Sequence, residues 1–477
     1  WINQNRDGQS GPDRSNDLFF GNASGDPQPD WVNLDKVAIP QADEQQQLLT
    51  NIIIQSNLHR KPLPRFWFLP SGKKAAVVMT GDDHAAGGTI GRFDQYLTLS
   101  GSHNNATDIA DWKAIRGSSY IFPNTPITNA QAAAYEAQGF EIGVHLNTGC
   151  ANYTQSALNS FFATQLGDMA TTFPGISATS THRTHCIAWS GWSVMAAEEF
   201  NHGIYLDANY YYWPDTWVQN RPGMFTGSGM PMRFATLNGA MIDCYQVATQ
   251  LTDESGINYT LHINSLLDKA TGPEGYYGVF CANMHTDVNG GTSTAGSDAI
   301  IAAAQAKNIP VISAKQMLTW LDGRNSSAFT NLVWNNNILT FGIDANAQAR
   351  NLKAMLPKRG DSSLVLQSIT RNGNAVTFTS ETIKGIEYAF FDAASGNYTA
   401  IYQTVICTTP TAVLASTSAA VCNGNGPVSI QLSAATGAAP YTIVVNGQTY
   451  TNVTVGTPFI TYTPNELSTW NNNVTGG

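Results

Sequence analysis

From residue 75 to about residue 322, short apolar runs alternate with longer helical patterns. No other feature limits the fold as strongly. The strand candidates are 75–80, 119–122, 141–145, 180–185, 204–208, 241–245, 279–284 and 311–313, with helical stretches such as 128–140, 156–173 and 297–309 between them. Strands joined through helices run parallel, because a parallel neighbour needs a crossover long enough to hold a helix. A (β/α) barrel accommodates this many units most economically, and in such a barrel the chemistry sits where the strands end.

After about residue 325 the helical pattern stops. Apolar and polar residues then alternate with period two around turn signals such as Asn372-Gly373 and Ser395-Gly396, the mark of antiparallel strands. The expected division is a barrel over 71–325, a β-sandwich over 326–406 and a second all-β module over 407–477 that resembles the immunoglobulin-like repeats of large bacterial surface proteins. No candidate acid, base or ligand falls beyond 325, so both modules are expected to be dispensable for chemistry. Residues 1–70 read as irregular chain plus one helix, either part of the barrel or the tail of an upstream domain.

Charged residues are only 12% of the 477, and the formal net charge is -10. Nucleic acid and anionic membrane are therefore poor partners, since both need basic patches. No apolar run is long enough to span a bilayer. The first residue is Trp1, which reads as a processed chain or an excised piece. Six cysteines without CxxC spacing, in a chain with few charges, suggest a secreted or cell-surface protein in which some of them pair. Cys150 with Cys186 and Cys407 with Cys422 are the candidate pairs. Further domains of a larger surface protein are an expected context.

Polar residues gather at the predicted strand ends. The first strand runs into Asp82-Asp83-His84, the third ends at His145, the fourth carries His182, Arg183 and His185, the fifth Asp207, and the seventh His285 and Asp287. A strand-end aspartate often only caps the next helix, and a single strand-end histidine is more often structural than a ligand. Convergence on one rim raises the odds of function. A carboxylate with imidazoles suits a divalent ion with an open position, and a second carboxylate beside it suits a general base.

These residues resemble the polysaccharide deacetylase family, the NodB-like carbohydrate esterases, over about residues 71–322. Thr80-Gly81-Asp82-Asp83 is similar to the family's first motif, T-F-D-D. Gly139-Phe140-Glu141-Ile142-Gly143-Val144-His145 is similar to the lead into its second, Arg183-Thr184-His185-Cys186 to the third, and Met284-His285 to the fifth. The resemblance implies Asp82 as general base, Asp83 and His145 as metal ligands, Arg183 orienting the base, the Cys186 N–H near the oxyanion, and His285 as general acid. It implies a divalent metal, zinc being the expected ion, and an N- or O-acetylated polysaccharide as substrate. Asp207 joins the catalytic candidates from its strand end.

Two departures matter. The family's second metal histidine falls on Gly149, and its motif phenylalanine on Gly81, which is expected to open space beside Asp82. His185 is the expected replacement ligand. His84, His182 and the remoter His103 are its rivals, though His182 lies an odd number of residues from His185 and should face the other way. The aromatic run 207–217 with Trp189 and Trp192 suggests a sugar-stacking groove, with Trp189, Tyr210, Tyr212 and Trp213 as candidates. Any one of these is more often core, but three consecutive tyrosines cannot all point inward. The rival to the enzyme is a non-catalytic glycan-binding or surface-adhesion protein that kept the barrel and lost the metal. Cleavage of glycosidic bonds by the paired acids is disfavoured, because adjacent strand residues face opposite sides and cannot flank one bond.

Overall fold

The computed structural model describes residues 11–20, 32–213, 215–361, 363–404, 411–417 and 427–462. Its centre is β1 (Ala75–Asp83), whose residues are all buried. In chain order there follow β2 (Ser118–Ile121), β3 (Glu141–Leu146), β4 (Thr181–Thr184), β5 (Leu206–Asp207), β6 (Met232–Ala235), β7 (Met241–Gln246), β8 (Thr249–Thr252), β9 (Gly278–Asn283) and β10 (Val311–Ile312). They form one sheet in the order β6-β7-β5-β4-β3-β2-β1-β9-β8, with β10 also pairing β1. All pairs are parallel except β6 with β7. β7 and β8 are the two halves of one bent segment, yet β7 pairs β5 and β8 pairs β9. The sheet therefore curls on itself, and the strand ends that carry Asp82, His145 and Arg183 face a common rim.

Period-two alternation sorts β1. Ala75, Val77 and Met79 pack outward against helices α1 (Thr89–Ser100), α2 (Tyr259–Thr271) and α3 (Gly291–Ala306), where Phe93, Ile263, Leu266 and Ile300 meet them. Ala76 and Val78 point the other way, into a core shared with Val279 and Cys281 of β9. The same alternation sends Asp82 inward and Asp83 outward.

The strands between residues 328 and 404 form two antiparallel sheets. One contains Lys353–Pro357, Thr379–Ile383 and Ile386–Asp392, with the short strand Arg65–Phe66 added at its edge. The other contains Ala328–Asn335, Ile338–Asp344, Leu364–Arg371 and Gly396–Thr404. They do not stand apart from the barrel. Leu339, Phe341, Ile343, Leu356, Phe391 and Tyr398 share one continuous core with Ala76, Val78, Leu206 and the helix Ala314–Asn325, through Met317, Leu318 and Trp320. Residues 1–403 form one compact unit, and 404–477 a second.

For residues 328–403 this packing argues against the expected dispensability, since the barrel shares its core with them. Each large apolar side chain loses about 1.5–3 kcal/mol when its burial is lost, and a whole domain is stable by only about 5–15 kcal/mol. A chain ending at Arg324 is expected to lose cooperative unfolding and soluble yield. Circular dichroism melting checks this. A soluble fragment that melts close to the full chain would contradict the shared core.

The described part of 1–70 also packs into the first unit: Leu18 lies among Trp189, Met195 and Phe234, and Phe20 among Tyr212, Val218 and Phe225. The second unit holds strands Ala412–Ser416, Val428–Ala435, Tyr441–Val445, Gln448–Val453 and Pro458–Tyr462 around Ile430, Val445 and Ile460. Cys407 and Cys422 lie outside the described residues. Among the described residues, no helix is long and apolar enough to cross a membrane.

Candidate active site

Asp82 sits at the inward end of β1, in the floor of a cavity of about 300 Å³. Arg183 Nη1 donates to its Oδ1 (3.2 Å) and Asn283 Nδ2 to its Oδ2 (2.9 Å). Arg183 is fully buried and held in turn by Thr249 Oγ1 (3.0 Å) and the Ala208 carbonyl (3.3 Å). The rings of Tyr120 and Tyr211 flank its guanidinium at 5.5 and 5.3 Å. Burial alone pushes the Asp82 carboxyl up, but Arg183, then His145, His285 and His84, outweigh it and hold the group well below the usual carboxylate range. The result is a buried carboxylate that stays ionised and is aimed by two donors.

Three imidazoles face it. His84 follows β1, His145 ends β3, and His185 opens the turn after β4. One ligand atom from each lies within 4.8 Å of the others. The Nδ1 atoms are already engaged: that of His84 with Asp287 Oδ2 (3.0 Å), that of His145 with the Arg183 carbonyl (2.9 Å), and that of His185 near Asn147 Oδ1 (3.4 Å). Such partners fix the tautomer and orient Nε2. His145 Nε2 is buried and has no hydrogen-bond partner, which leaves an orphaned acceptor. Burial pushes the His145 pKa down to about 3, and burial followed by His84 lowers that of His185, so both are neutral. Asp287 raises that of His84, where a bound cation would displace the proton. Three nitrogen donors around an unmet buried lone pair fit a zinc-like ion with an open position.

His185 is held in place by a disulfide. Cys150 and Cys186 are bonded, with Cα atoms 5.6 Å apart, tying the loop after β3 to the turn that carries His185. Gly149 has φ +71, is exposed, and does not line the cavity.

Asp83 is not with the imidazoles. Pointing outward, it accepts from the backbone N–H groups of Ala86 (2.8 Å), Gly87 (3.0 Å) and Thr89 (3.2 Å) and from Thr89 Oγ1 (2.8 Å). It caps the entrance to α1, the plain role of a strand-end aspartate, and His84 occupies the place expected of it. Gly81 opens no space either: an added Cβ would lie 2.4 Å from the Met284 carbonyl oxygen, so glycine is required by close backbone approach.

Asp207 is also displaced from its expected role. It is fully buried, accepts from Asn209 N (2.7 Å) and Nδ2 (2.6 Å), and belongs to a cluster with His182 and Glu199 behind the rim. His182 faces that cluster, its Nδ1 2.6 Å from Glu199 Oε1, as the parity argument requires. Asn209 Oδ1 accepts from Thr184 N (2.8 Å), so the network braces the end of β4. His103 is exposed and pairs with Asp108. Trp189 and Tyr212 are fully buried core residues, and Tyr210 packs between Phe19, Trp189 and Phe234. Of the aromatic candidates, Trp213 lines the cavity, joined by the middle tyrosine, Tyr211; Cys186 lines it too.

His285 stands on the opposite side, its ring 5.4 Å from that of His84. Asp253 grips it twice, through Nδ1 (2.7 Å) and its backbone N–H (2.8 Å). Burial works to lower its pKa, but Asp253, Asp82 and Glu254 outweigh that and raise it to about 9. The imidazolium form therefore persists to mildly alkaline pH, as a proton donor needs. A step that depends on this donor is lost as pH rises through the raised value. Asp253→Asn removes the main raising partner and is expected to move the alkaline limb of activity to lower pH, which a pH–rate profile checks.

Several of these residues carry faint sequence signals. Asn283 is two positions before His285, on the inward face of β9. Asp253 and Glu254 follow β8, a strand hidden by its continuity with β7. Arg14, which also lines the cavity, reaches it through a fold contact that no local pattern announces.

No protein-family model matches the chain, and no curated protein does so. Among solved structures, part of the chain is similar to a protein described as a polysaccharide deacetylase from Mycobacterium smegmatis, with 13% identity over 53% of this chain and 91% of that one, TM-score 0.34. A polysaccharide deacetylase from Bacillus cereus aligns with 10% identity over 50% and 91%, TM-score 0.28. An α-L-fucosidase from Bacteroides thetaiotaomicron aligns with 12% identity over 69% and 93%, TM-score 0.26. At these scores the site's own geometry is the ground for assigning a function.

Proposed function

We propose that this chain is a secreted, divalent-metal-dependent hydrolase that removes N- or O-acetyl groups from a polysaccharide. The observation that carries the reading is the meeting, in one cavity, of three converging imidazoles with an ionised buried carboxylate on one side and a protonated imidazole on the other. His84, His145 and His185 would hold the ion, and zinc suits an all-imidazole set. When bound, it supplies polarisation of the acetyl carbonyl and acidification of water.

The chain's own residues do the rest. Asp82, aimed by Arg183 and Asn283, accepts the proton of the attacking water. The Cys186 N–H, at the turn beside His185, is the candidate donor to the oxyanion. His285, positioned by Asp253, protonates the departing amine or alkoxide, which leaves poorly without that proton. Trp213, partly exposed in the cavity lining, offers a ring to a sugar. The Cys150–Cys186 disulfide supports an oxidising compartment and so secretion. The reading of a lost metal site rested on Gly149, and His84 with His185 offers the missing donors.

Acetate release from N-acetylglucosamine oligomers and from O-acetylated xylan, by full-length protein supplied with zinc, tests the proposal and separates N- from O-deacetylation. Release from neither, by folded and metal-loaded protein, would contradict it.

A further inference from the structure

We propose that Arg14 reads a negatively charged substituent on the substrate, so that the preferred glycan is acidic, with an anionic group near the acetylated sugar. This rests on the deacetylase reading and names the substrate class for that site. Arg14 belongs to the N-terminal segment, far in sequence from every other residue of the cavity it lines. The main chain around it is fixed. The Asp13 carbonyl accepts from Trp189 N (2.8 Å), Arg14 forms an antiparallel bridge with Ala188, and Asn16 Nδ2 donates to the Trp213 carbonyl (2.7 Å). Ser15 Oγ donates to the Asn209 carbonyl, and Leu18 and Phe20 are buried just beyond. The segment thus places Arg14 in the cavity lining from an anchored backbone.

Of the charged side chains that line the cavity, Arg14 is the one with no ion-pair or hydrogen-bond partner among the described residues. Arg183 is paired with Asp82, His285 with Asp253, and His84 with Asp287. Glu254, the other carboxylate in the cavity, lies 4.0 Å from His285 Nε2. Asp17 accepts from the backbone N–H of Arg14 (2.8 Å). The Arg14 side chain, half-buried, has no hydrogen bond or ion pair with another described residue. A planar fork of donors beside a reaction centre is matched in shape and charge by a carboxylate, sulfate or phosphate oxygen pair. A neutral glycan would leave it only water.

The test uses the full, zinc-supplied chain and two acetylated oligosaccharides of matched length, one neutral and one alternating N-acetylhexosamine with uronate. Arg14→Ala is expected to raise KM for the uronate substrate about tenfold, equivalent to one paired charge at about 1.4 kcal/mol, with kcat and the neutral substrate unchanged. Arg14→Lys should restore part of the loss. A sulfated oligosaccharide of the same length tells whether carboxylate or sulfate is the better fit. A second readout needs no turnover: calorimetric binding of a non-acetylated uronate oligosaccharide to Asp82→Asn should weaken when Arg14→Ala is added. Equal losses on neutral and acidic substrates, or no loss on either, would overturn the assignment. Arg14-dependent binding in a chain that releases no acetate would preserve the anion site and reject the deacetylase reading instead.

Discussion

Asp82→Asn is expected to lower acetate release by about 10²- to 10⁴-fold, the range for removal of a positioned general base. The substitution keeps shape: its carbonyl oxygen can accept from Arg183, and its NH2 can donate to Asn283 once that amide flips to present its unpartnered Oδ1, so folding and metal content should hold. What it removes is a carboxylate that Arg183 and the surrounding imidazoles keep ionised against burial. It also leaves Arg183 buried without its ion-pair partner, so some loss of thermal stability should accompany the loss of rate. Acetate assays beside metal analysis check it. A variant with most of its activity intact would remove Asp82 from the chemistry.

The second large effect concerns the ion. His84→Ala, His145→Ala and His185→Ala are each expected to empty the site, because two protein donors hold an ion weakly where three hold it well. His145→Ala should be the most severe, since its Nε2 is buried with no other partner. Asp83→Ala is the informative control. It strips an acceptor from buried donors at the start of α1 and should cost about 1–3 kcal/mol of stability while leaving metal content intact. Elemental analysis of the four variants decides between this donor set and the Asp83–His145–His185 set expected from the sequence, in which the motif resemblance implies Asp83 and His145 and His185 replaces the histidine missing at Gly149. Metal loss in Asp83→Ala with retention in His84→Ala would favour the latter.

Much of this site was legible in the sequence because strand ends and parity are local properties. The alternation that disqualified the acid pair as flanking carboxylates also separates Asp82 from Asp83; applied to the metal, it would have excluded Asp83 and promoted His84. The same parity correctly turned His182 away from His185. Asp207 misled because a strand-end carboxylate looks the same whether it faces the cavity or a neighbour such as Asn209. The tyrosine run resolved by the same alternation, Tyr211 facing the cavity and its neighbours packing. What stayed hidden depends on distant segments. Nothing near Arg14 marks it as a cavity residue, because its place follows from how 11–20 docks on Trp189 and Trp213. Period-two patterning beyond 325 likewise describes strands without saying whether their buried face meets its own partner sheet or the barrel, and here it meets both.

The most direct measurement of the central claim is acetate released from an acetylated oligosaccharide by the full chain, first stripped with a chelator and then reloaded with zinc. The account predicts release that vanishes on stripping, returns on reloading, and does not return in His145→Ala. Release that is indifferent to the chelator, or no release from a folded chain carrying one zinc, would contradict it.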